Sequence, residues 1–427
     1  MDYKEALNFI HSRPRLRKKP SLDRMTTFLN QLGNPQNDVT GIHIAGTNGK
    51  GSTVAFLERL LEKHDLKVGT FASPFIVRFN ERIQINRQPI SDQDLVELVE
   101  KIQPIVEQMD AEAIGGPLEF EIDTAMMFLY FKEHPVDVAL IEVGIGGLFD
   151  STNVFTPILS VITNIGWDHM EILGDTIPKI AEQKAGIIKP TIPVVTGSTD
   201  PEALKVIQKV ASDSGSTLKT FKTDFSISKS TDQQITFKNS DVIWDNLESS
   251  LFGEYQLTNL AVALESLTMV SSILKIRLDV NRIKSAVKTT KWAGRMEMVS
   301  SQPLVYLDGA HNLPGIEALH QTIQTNWSRQ KVYIITAVLD DKLYQPMLNN
   351  LVELPNVELT LTNFTGPSKR QAVTPDEINS QLLKEVEYIS NWRDAIQLAG
   401  SKMQAGDVLI ITGSLYFISE VRPFFVK

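Results

Sequence analysis

The chain has 427 residues, with 42 Lys or Arg against 51 Asp or Glu and a formal net charge of -9. At about 150 residues per domain, a chain of this size predicts two or three domains. The acidic balance excludes a protein whose main task is holding nucleic acid, because that work needs a positive footprint. The chain contains no cysteine, which excludes disulfides, thiolate zinc sites, iron–sulfur clusters and cysteine nucleophiles together.

The first residues, Met1-Asp2-Tyr3-Lys4-Glu5, lack a basic segment followed by an apolar run, so no signal peptide is expected. No stretch reaches the ~20 apolar residues of a membrane span. The expected location is the cytoplasm. The basic run Arg13, Arg15, Arg17, Lys18 and Lys19 reads as a solvated connection between helices, with contact to an anionic ligand as the alternative.

From there the pattern is strand, then helix, repeated. Val39 to Ala45 is a short β-rich run, and Ser52 to His64 follows with helical spacing. Val68 to Ala72 is the next strand, and Leu95 to Val106 marks a helix. Val136 to Val143, Ile158 to Ile165 and Ile192 to Thr196 are near-continuous apolar runs, as strands buried on both faces should be. Leu218 to Phe252 is polar with scattered alternation and predicts short antiparallel strands. Helical spacing returns at Tyr255 to Leu274 and Val280 to Val287, and is interrupted at Lys291-Trp292-Ala293-Gly294-Arg295. A second series of strands follows at Leu304 to Leu307, Val332 to Val338, Val357 to Leu361 and Val408 to Thr412. This alternation predicts mostly parallel sheets covered by helices, with a domain boundary near Gly294.

The sharpest local signal is Gly46-Thr47-Asn48-Gly49-Lys50-Gly51-Ser52, between a predicted strand and a predicted helix. Glycines let backbone N–H groups turn toward an anion, the helix start adds partial positive charge, and Lys50 supplies a full one. Gly51 stands where the usual pattern has Ser or Thr. The context favours nucleotide binding over a glycine-rich turn with an incidental lysine. Ser73 and Asp168-His169 follow two other predicted strands, and Glu142 stands at the end of a third. Taken singly each is an ordinary polar residue. At the carboxyl ends of a parallel sheet, a hydroxyl, a carboxylate and an imidazole could together hold Mg²⁺ beside phosphates. Lys184, taken alone, reads as a surface residue of an amphipathic helix. Asp308-Gly309-Ala310-His311-Asn312 could grip a ribose or face a reacting phosphoryl group, or Asn312 could simply cap a helix. Gly144-Ile145-Gly146-Gly147 is only a partial dinucleotide fingerprint, so a dehydrogenase is not favoured.

These residues, in this order, resemble the folylpolyglutamate synthase and dihydrofolate synthase family of the Mur ligase superfamily. The resemblance is carried by Gly46 to Ser52, Ser73-Pro74-Phe75, Phe79 to Arg82, Glu142 to Asn153, Asp168-His169, Lys184 to Ile187, Tyr255-Gln256, Asn259, Trp292, Arg295 and Asp308 to Asn312. It implies that Asn48, Gly49, Lys50, Gly51 and Ser52 bind ATP, with Asn259, Arg295 and Asp308 as further ATP contacts. It implies that Ser73, Glu142 and His169 hold Mg²⁺, and that Lys184 matches a lysine carbamylated in relatives, supporting a second ion. His311 matches a residue close to the transferred phosphoryl group. Leu118, Glu119, Phe120 and Glu121, with Phe149, Asp150 and Ser151, fall where the pterin-bearing substrate is held.

The expected architecture is therefore α/β with two domains. Residues 1–294 would form a P-loop-type, mostly parallel sheet flanked by helices that binds ATP and folate, and residues 295–427 a smaller Rossmann-like domain. The expected activity is ATP-dependent addition of L-glutamate to the γ-carboxylate of a reduced folate or folylpolyglutamate through an acyl phosphate. Lys50, His311 and Lys184 are the expected catalytic residues, Mg²⁺ the metal, and a monomer the expected state, without nucleic-acid or membrane partners. The rival readings are dihydrofolate synthase, alone or in the same site, a Mur-type peptidoglycan ligase, and a non-catalytic nucleotide switch.

Overall fold

The computed structural model describes residues 1–15, 21–365 and 371–426. Arg17, Lys18 and Lys19 of the basic run lie outside the described residues. The chain forms two compact units: Met1–Ser249 with Thr258–Thr290, and Ser250–Leu257 with Lys291–Lys427.

In the first unit, strands β1 (Gly41–Ala45), β2 (Val68–Phe71), β3 (Ile83–Ile85), β4 (Gln88–Pro89), β5 (Val138–Glu142), β6 (Leu159–Ile162), β7 (Val194–Thr196) and β8 (Leu218–Thr220) form one sheet. Its order is β4-β3-β2-β5-β1-β6-β7-β8. The run from β2 to β8 is parallel, and β3 and β4 add an antiparallel edge. Every residue of β1, β5 and β6 is buried, which is why their sequences are continuously apolar rather than alternating. The chain leaves β1 toward β2 on one side and later returns to β6 on the other. The carboxyl end of β1 is therefore the switch point where a ligand crevice opens.

Between Leu218 and Phe252 the expected antiparallel strands are found as β9 (Ser226–Lys229), β10 (Ile235–Lys238) and β11 (Ile243–Leu247). They are held on a small aromatic core in which Phe237 stacks on Trp244. β8 is the exception, since it pairs with β7 in parallel.

Helix Glu119–Glu133 has no counterpart among the sequence expectations. All of Ile122–Phe131 is buried, so the helix has no polar face and no 3.6-residue stripe to read. It packs into the core with Ile10, Phe28, Leu98 and Ile102.

The second unit carries β12 (Glu297–Ser301), β13 (Leu304–Leu307), β14 (Val332–Thr336), β15 (Val357–Asn363), β16 (Val386–Asn391) and β17 (Val408–Thr412). Their order is β12-β13-β17-β14-β15-β16, parallel except for the β12–β13 pair. Edge strands β12 and β16 are half-exposed and polar, and composition alone does not mark them as strands. Among the described residues no helix is long and apolar enough to cross a membrane.

Candidate active site

Four neighbouring strands, β2, β5, β1 and β6, deliver the expected site residues to one edge of the first sheet. Ser73 follows β2, Glu142 ends β5, Gly46 to Gly51 follow β1, and Asp168-His169 follow β6.

The glycine-rich turn is pinned by the segment that leaves β6. Asn48 N donates to Asn164 Oδ1 at 2.8 Å, Thr163 Oγ1 donates to Asn48 O at 2.6 Å, and Thr47 Oγ1 donates to Gly166 O at 3.0 Å. Gly49 caps helix Lys50–Glu62 with φ +82, and a Cβ built there would stand 2.2 Å from Asn259 Oδ1. Only glycine meets both conditions. Ser52 is buried in the first turn of that helix.

Lys50 Nζ donates to Gly46 O at 2.9 Å and to Thr47 O at 3.4 Å. Lys184 Nζ donates to the same Gly46 O at 3.0 Å. Lys184 is 4% exposed, which corrects the reading of it as a surface residue. Ile180, Ala181, Lys184 and Ala185 form the buried stripe of helix Ile177–Ala185, and that spacing was the signal in the sequence. Burial, and then the charge of Lys50, lower the Lys184 pKa from 10.5 to about 7. Neither lysine is ion-paired to a carboxylate among the described residues.

Glu142 is buried, and pairs in register with Ile44 of β1. Ser73 Oγ accepts from Arg82 Nη1 at 3.3 Å. His169 has φ +47, its N–H donates to Asp168 Oδ1 at 2.9 Å, and its Nε2 lies 3.8 Å from Asp168 Oδ2. Among the described residues, no three His, Cys, Asp or Glu side chains are grouped closely enough to hold a metal by themselves. A hydroxyl, a carboxylate and an imidazole fit a cation that takes the rest of its shell from phosphate oxygens and water, the usual habit of Mg²⁺.

The expected folate-binding segments are tied into the protein itself. Glu119 accepts from His11 Nδ1 and Arg15 Nε, both at 3.0 Å, and Glu121 accepts from Arg24 Nε and Nη2 at 2.6 and 2.9 Å. Arg13 forks onto Asp110 at 2.8 and 2.6 Å. Arg13 is thus a part-buried clamp of the N-terminal segment, whereas Arg15 reaches Glu119 but stays exposed, as the reading of a solvated run expected. Leu118 N donates to Glu121 Oε2 at 2.7 Å at the helix start. Phe120 stacks on Phe71 with centroids 5.7 Å apart, and Phe149 is exposed. Asp150 accepts from Ile145 N, Thr152 N and Thr152 Oγ1, anchoring the loop after Glu142. Burial raises its pKa against those three donors. Ser151 follows it, half-buried. Thr152 Oγ1 also meets His43 Nε2 at 2.8 Å, a buried contact across β1 that no motif announced.

In the second unit Asp308 accepts from Met296 N at 2.8 Å, Ala310 N at 3.0 Å and Tyr255 OH at 3.1 Å. Burial raises its pKa, and Arg295 acts in the opposite sense. His311 Nδ1 stands 2.8 Å from Gly309 O; a carbonyl only accepts, so Nδ1 carries the proton. Asn312 accepts from Gly315 N at 2.9 Å and caps helix Leu313–Asn326, so the capping alternative is realised.

A phosphate-type loop with converging lysines on a parallel sheet, followed along the chain by a second α/β unit, defines the class: an α/β protein built to use a nucleotide. Comparison with known proteins narrows it. A family described as the Mur ligase middle domain matches residues 44–267, and the Mur ligase glutamate ligase domain matches residues 294–415. The dihydrofolate synthase/folylpolyglutamate synthase of Bacillus subtilis is 39% identical over 98% of both chains. The folylpolyglutamate synthase of Lacticaseibacillus casei is 39% identical over 99% of this chain and 98% of its own. A solved complex of folylpolyglutamate synthase with AMPPCP and folate superposes with a TM-score of 0.89 at 36% identity, over the whole of both chains. The chain belongs to the folylpolyglutamate synthase/dihydrofolate synthase family of the Mur ligases.

Proposed function

We propose that the protein is an ATP-dependent ligase that joins the amino group of L-glutamate to a carboxylate of a reduced folate or folylpolyglutamate. The observation that carries this reading is the meeting of the Lys50 and Lys184 ammonium groups on one carbonyl, Gly46 O, at a glycine turn that opens a helix. Lys50 brings a full positive charge to the turn, for which a polyphosphate is the fitting ligand, while Lys184 beside it is lowered to a pKa of about 7. The family relationship supplies the acceptor.

A carboxylate does not condense with an amine at neutral pH, because oxide is a poor leaving group. In the proposed reaction a folate carboxylate oxygen attacks the γ-phosphorus of ATP, the bond to the β-γ bridging oxygen breaks, and ADP leaves. The glutamate nitrogen attacks the resulting acyl phosphate, loses a proton, and expels inorganic phosphate. The opening step brings two anions together. Lys50 offsets that repulsion, and the pinned turn presents its N–H groups to the same charge. Asn48, Gly49, Gly51, Ser52 and Asn259 belong to the proposed ATP contacts, with Arg295 and Asp308 in the second unit. His311 is proposed near the transferred group. Ser73, Glu142 and His169 would hold Mg²⁺, which supplies charge neutralisation at the phosphates when bound. Lys184, with its pKa lowered to about 7, has neutral amine available to take up CO₂ as a carbamate with loss of a proton, in line with the lysine it matches in relatives. Phe120 and Phe149 are the proposed aromatic faces for the pterin, beside Leu118, Glu119, Glu121, Asp150 and Ser151. This reading assigns folate and the phosphate-binding loop to residues 1–294, with Arg295 and Asp308 as ATP contacts beyond them, and includes a cytoplasmic monomer.

A second activity, dihydrofolate synthase, is favoured by the Bacillus subtilis relative, which is named for both activities and is as similar to this chain, at 39% identity, as the Lacticaseibacillus casei folylpolyglutamate synthase. The test is product mass after incubation with ATP, Mg²⁺, glutamate and either dihydropteroate or tetrahydrofolate. A glutamyl increment on tetrahydrofolate is expected; an increment on dihydropteroate as well assigns both activities. Phosphate release with no increment on either pterin overturns the ligase reading.

A further inference from the structure

Two acidic oxygens inside the first unit have nothing to hold. Asp123 lies on helix Glu119–Glu133, 1% exposed, and neither carboxyl oxygen accepts a hydrogen bond. Beside it stands Arg82, whose Nε is 3.7 Å from Asp123 Oδ2. That is ion-pair range, yet about 1 Å more than a hydrogen bond needs. Arg82 Nε is itself buried and without a partner. The guanidinium instead extends Nη1 to Ser73 Oγ, a long contact of 3.3 Å. Its CZ lies over the rings of Phe75 and Phe79, at 5.4 and 5.6 Å, so the side chain is confined to a slot. The backbone between is held independently: Glu81 accepts from Ile76 N, Val77 N and Arg78 N.

An arginine fork matches a carboxylate in two parallel bonds, and a buried carboxylate without donors is costly. The observed position satisfies neither group. A guanidinium also cannot shed its proton, so where its charge is unwelcome it must move. Arg82 on Ser73 Oγ occupies a lone pair and sets a positive charge where a cation would approach.

We propose that Arg82 has two berths, Ser73 Oγ and the Asp123 carboxylate, and that it withdraws to Asp123 when Ser73 takes up a divalent cation. Asp123 is then a positioning residue, acting on Ser73 through Arg82. The inference rests on the reading of Ser73 as a cation ligand, and the experiment separates the two.

Mg²⁺·AMPPCP is titrated by calorimetry into the full chain and into Ser73→Ala, Asp123→Asn, and the double variant Asp123→Asn/Arg82→Met. Asp123→Asn keeps the volume and removes the charge. Its affinity should fall about tenfold, the scale of lost outer-shell support at a metal site. Its ligand-free thermal midpoint should hold or rise, which a merely structural role does not give. The double variant should bind more tightly than Asp123→Asn, because the cation then meets no stranded guanidinium. An unchanged Ser73→Ala overturns the cation reading. A weakened Ser73→Ala with an unchanged Asp123→Asn overturns the two berths alone, as does a double variant no better than the single. Should Asp123→Asn fail to fold, a crystal structure of the unaltered protein with Mg²⁺·AMPPCP decides: Arg82 bonded to Asp123 supports the proposal, and Arg82 still on Ser73 overturns it.

Discussion

The phosphate loop of the first unit and the Asp308 turn of the second are both strand-to-helix connections, yet they treat charge in opposite ways. At the loop, two ammonium groups share a carbonyl and burial drives the pKa of one of them to about 7. At the turn, one buried carboxylate is met by two backbone N–H groups and a tyrosine hydroxyl. The first arrangement is electrostatically unfinished and gains from an anionic ligand. The second is complete, and works by holding Met296 and Ala310 in place. Unfinished charge marks where a substrate is expected, and finished charge marks what positions it.

Three further measurements break or sharpen this contrast. The largest effect belongs to Lys50→Ala, which should lower kcat/KM for glutamate-dependent phosphate release by about 10² to 10³-fold, the scale of one lost preorganised contact. Near-normal turnover would mean that the loop does not serve the reaction. Next is Asp308→Asn, which should lower unfolding free energy by about 1–3 kcal/mol in urea, because an amide nitrogen now faces a donor and leaves it unpaired. No loss would show that the turn is not held by its carboxylate.

The third effect, small per pH unit, is in the pH profile of stability. Burial lowers Lys184 from 10.5 to about 7, so in that window the unfolded chain binds more protons and stability rises with pH. Glu58 behaves oppositely. Burial, then Glu62, raise it from 4.5 to about 8, so the native chain binds more protons in that range and stability falls as pH rises. Each slope is at most about 1.4 kcal/mol per pH unit. In CO₂-depleted buffer, Lys184→Met should flatten the rise above neutrality and Glu58→Gln the fall below it. Unfolding curves that keep their pH dependence in both variants would remove these groups from the account.

Much of the scaffold was legible because buried strands are written in apolar runs. β13 and β17 begin and end where the sequence suggested. The glycine turn was legible for a related reason: positive φ and close approach leave a residue type behind, as at Gly49. Helix Glu119–Glu133 left no period, since a helix surrounded by core has no solvent face to alternate with. The resemblance set Glu119 and Glu121 where the pterin is held, but nothing near them in the sequence announced their arginine partners, which lie about a hundred residues away in the chain.

By itself the sequence determined the buried strands and the amphipathic helices between them, the glycine turn with its lysine and the kinship with a ligase family, because those are fixed by neighbours a few residues apart. Only the tertiary structure decided that Lys184 is buried against Gly46, that Arg15 and Arg24 own the glutamates, and that Arg82 lies between Ser73 and Asp123. Those facts depend on which distant groups share a low-dielectric space, and charge interacts through space rather than along the chain.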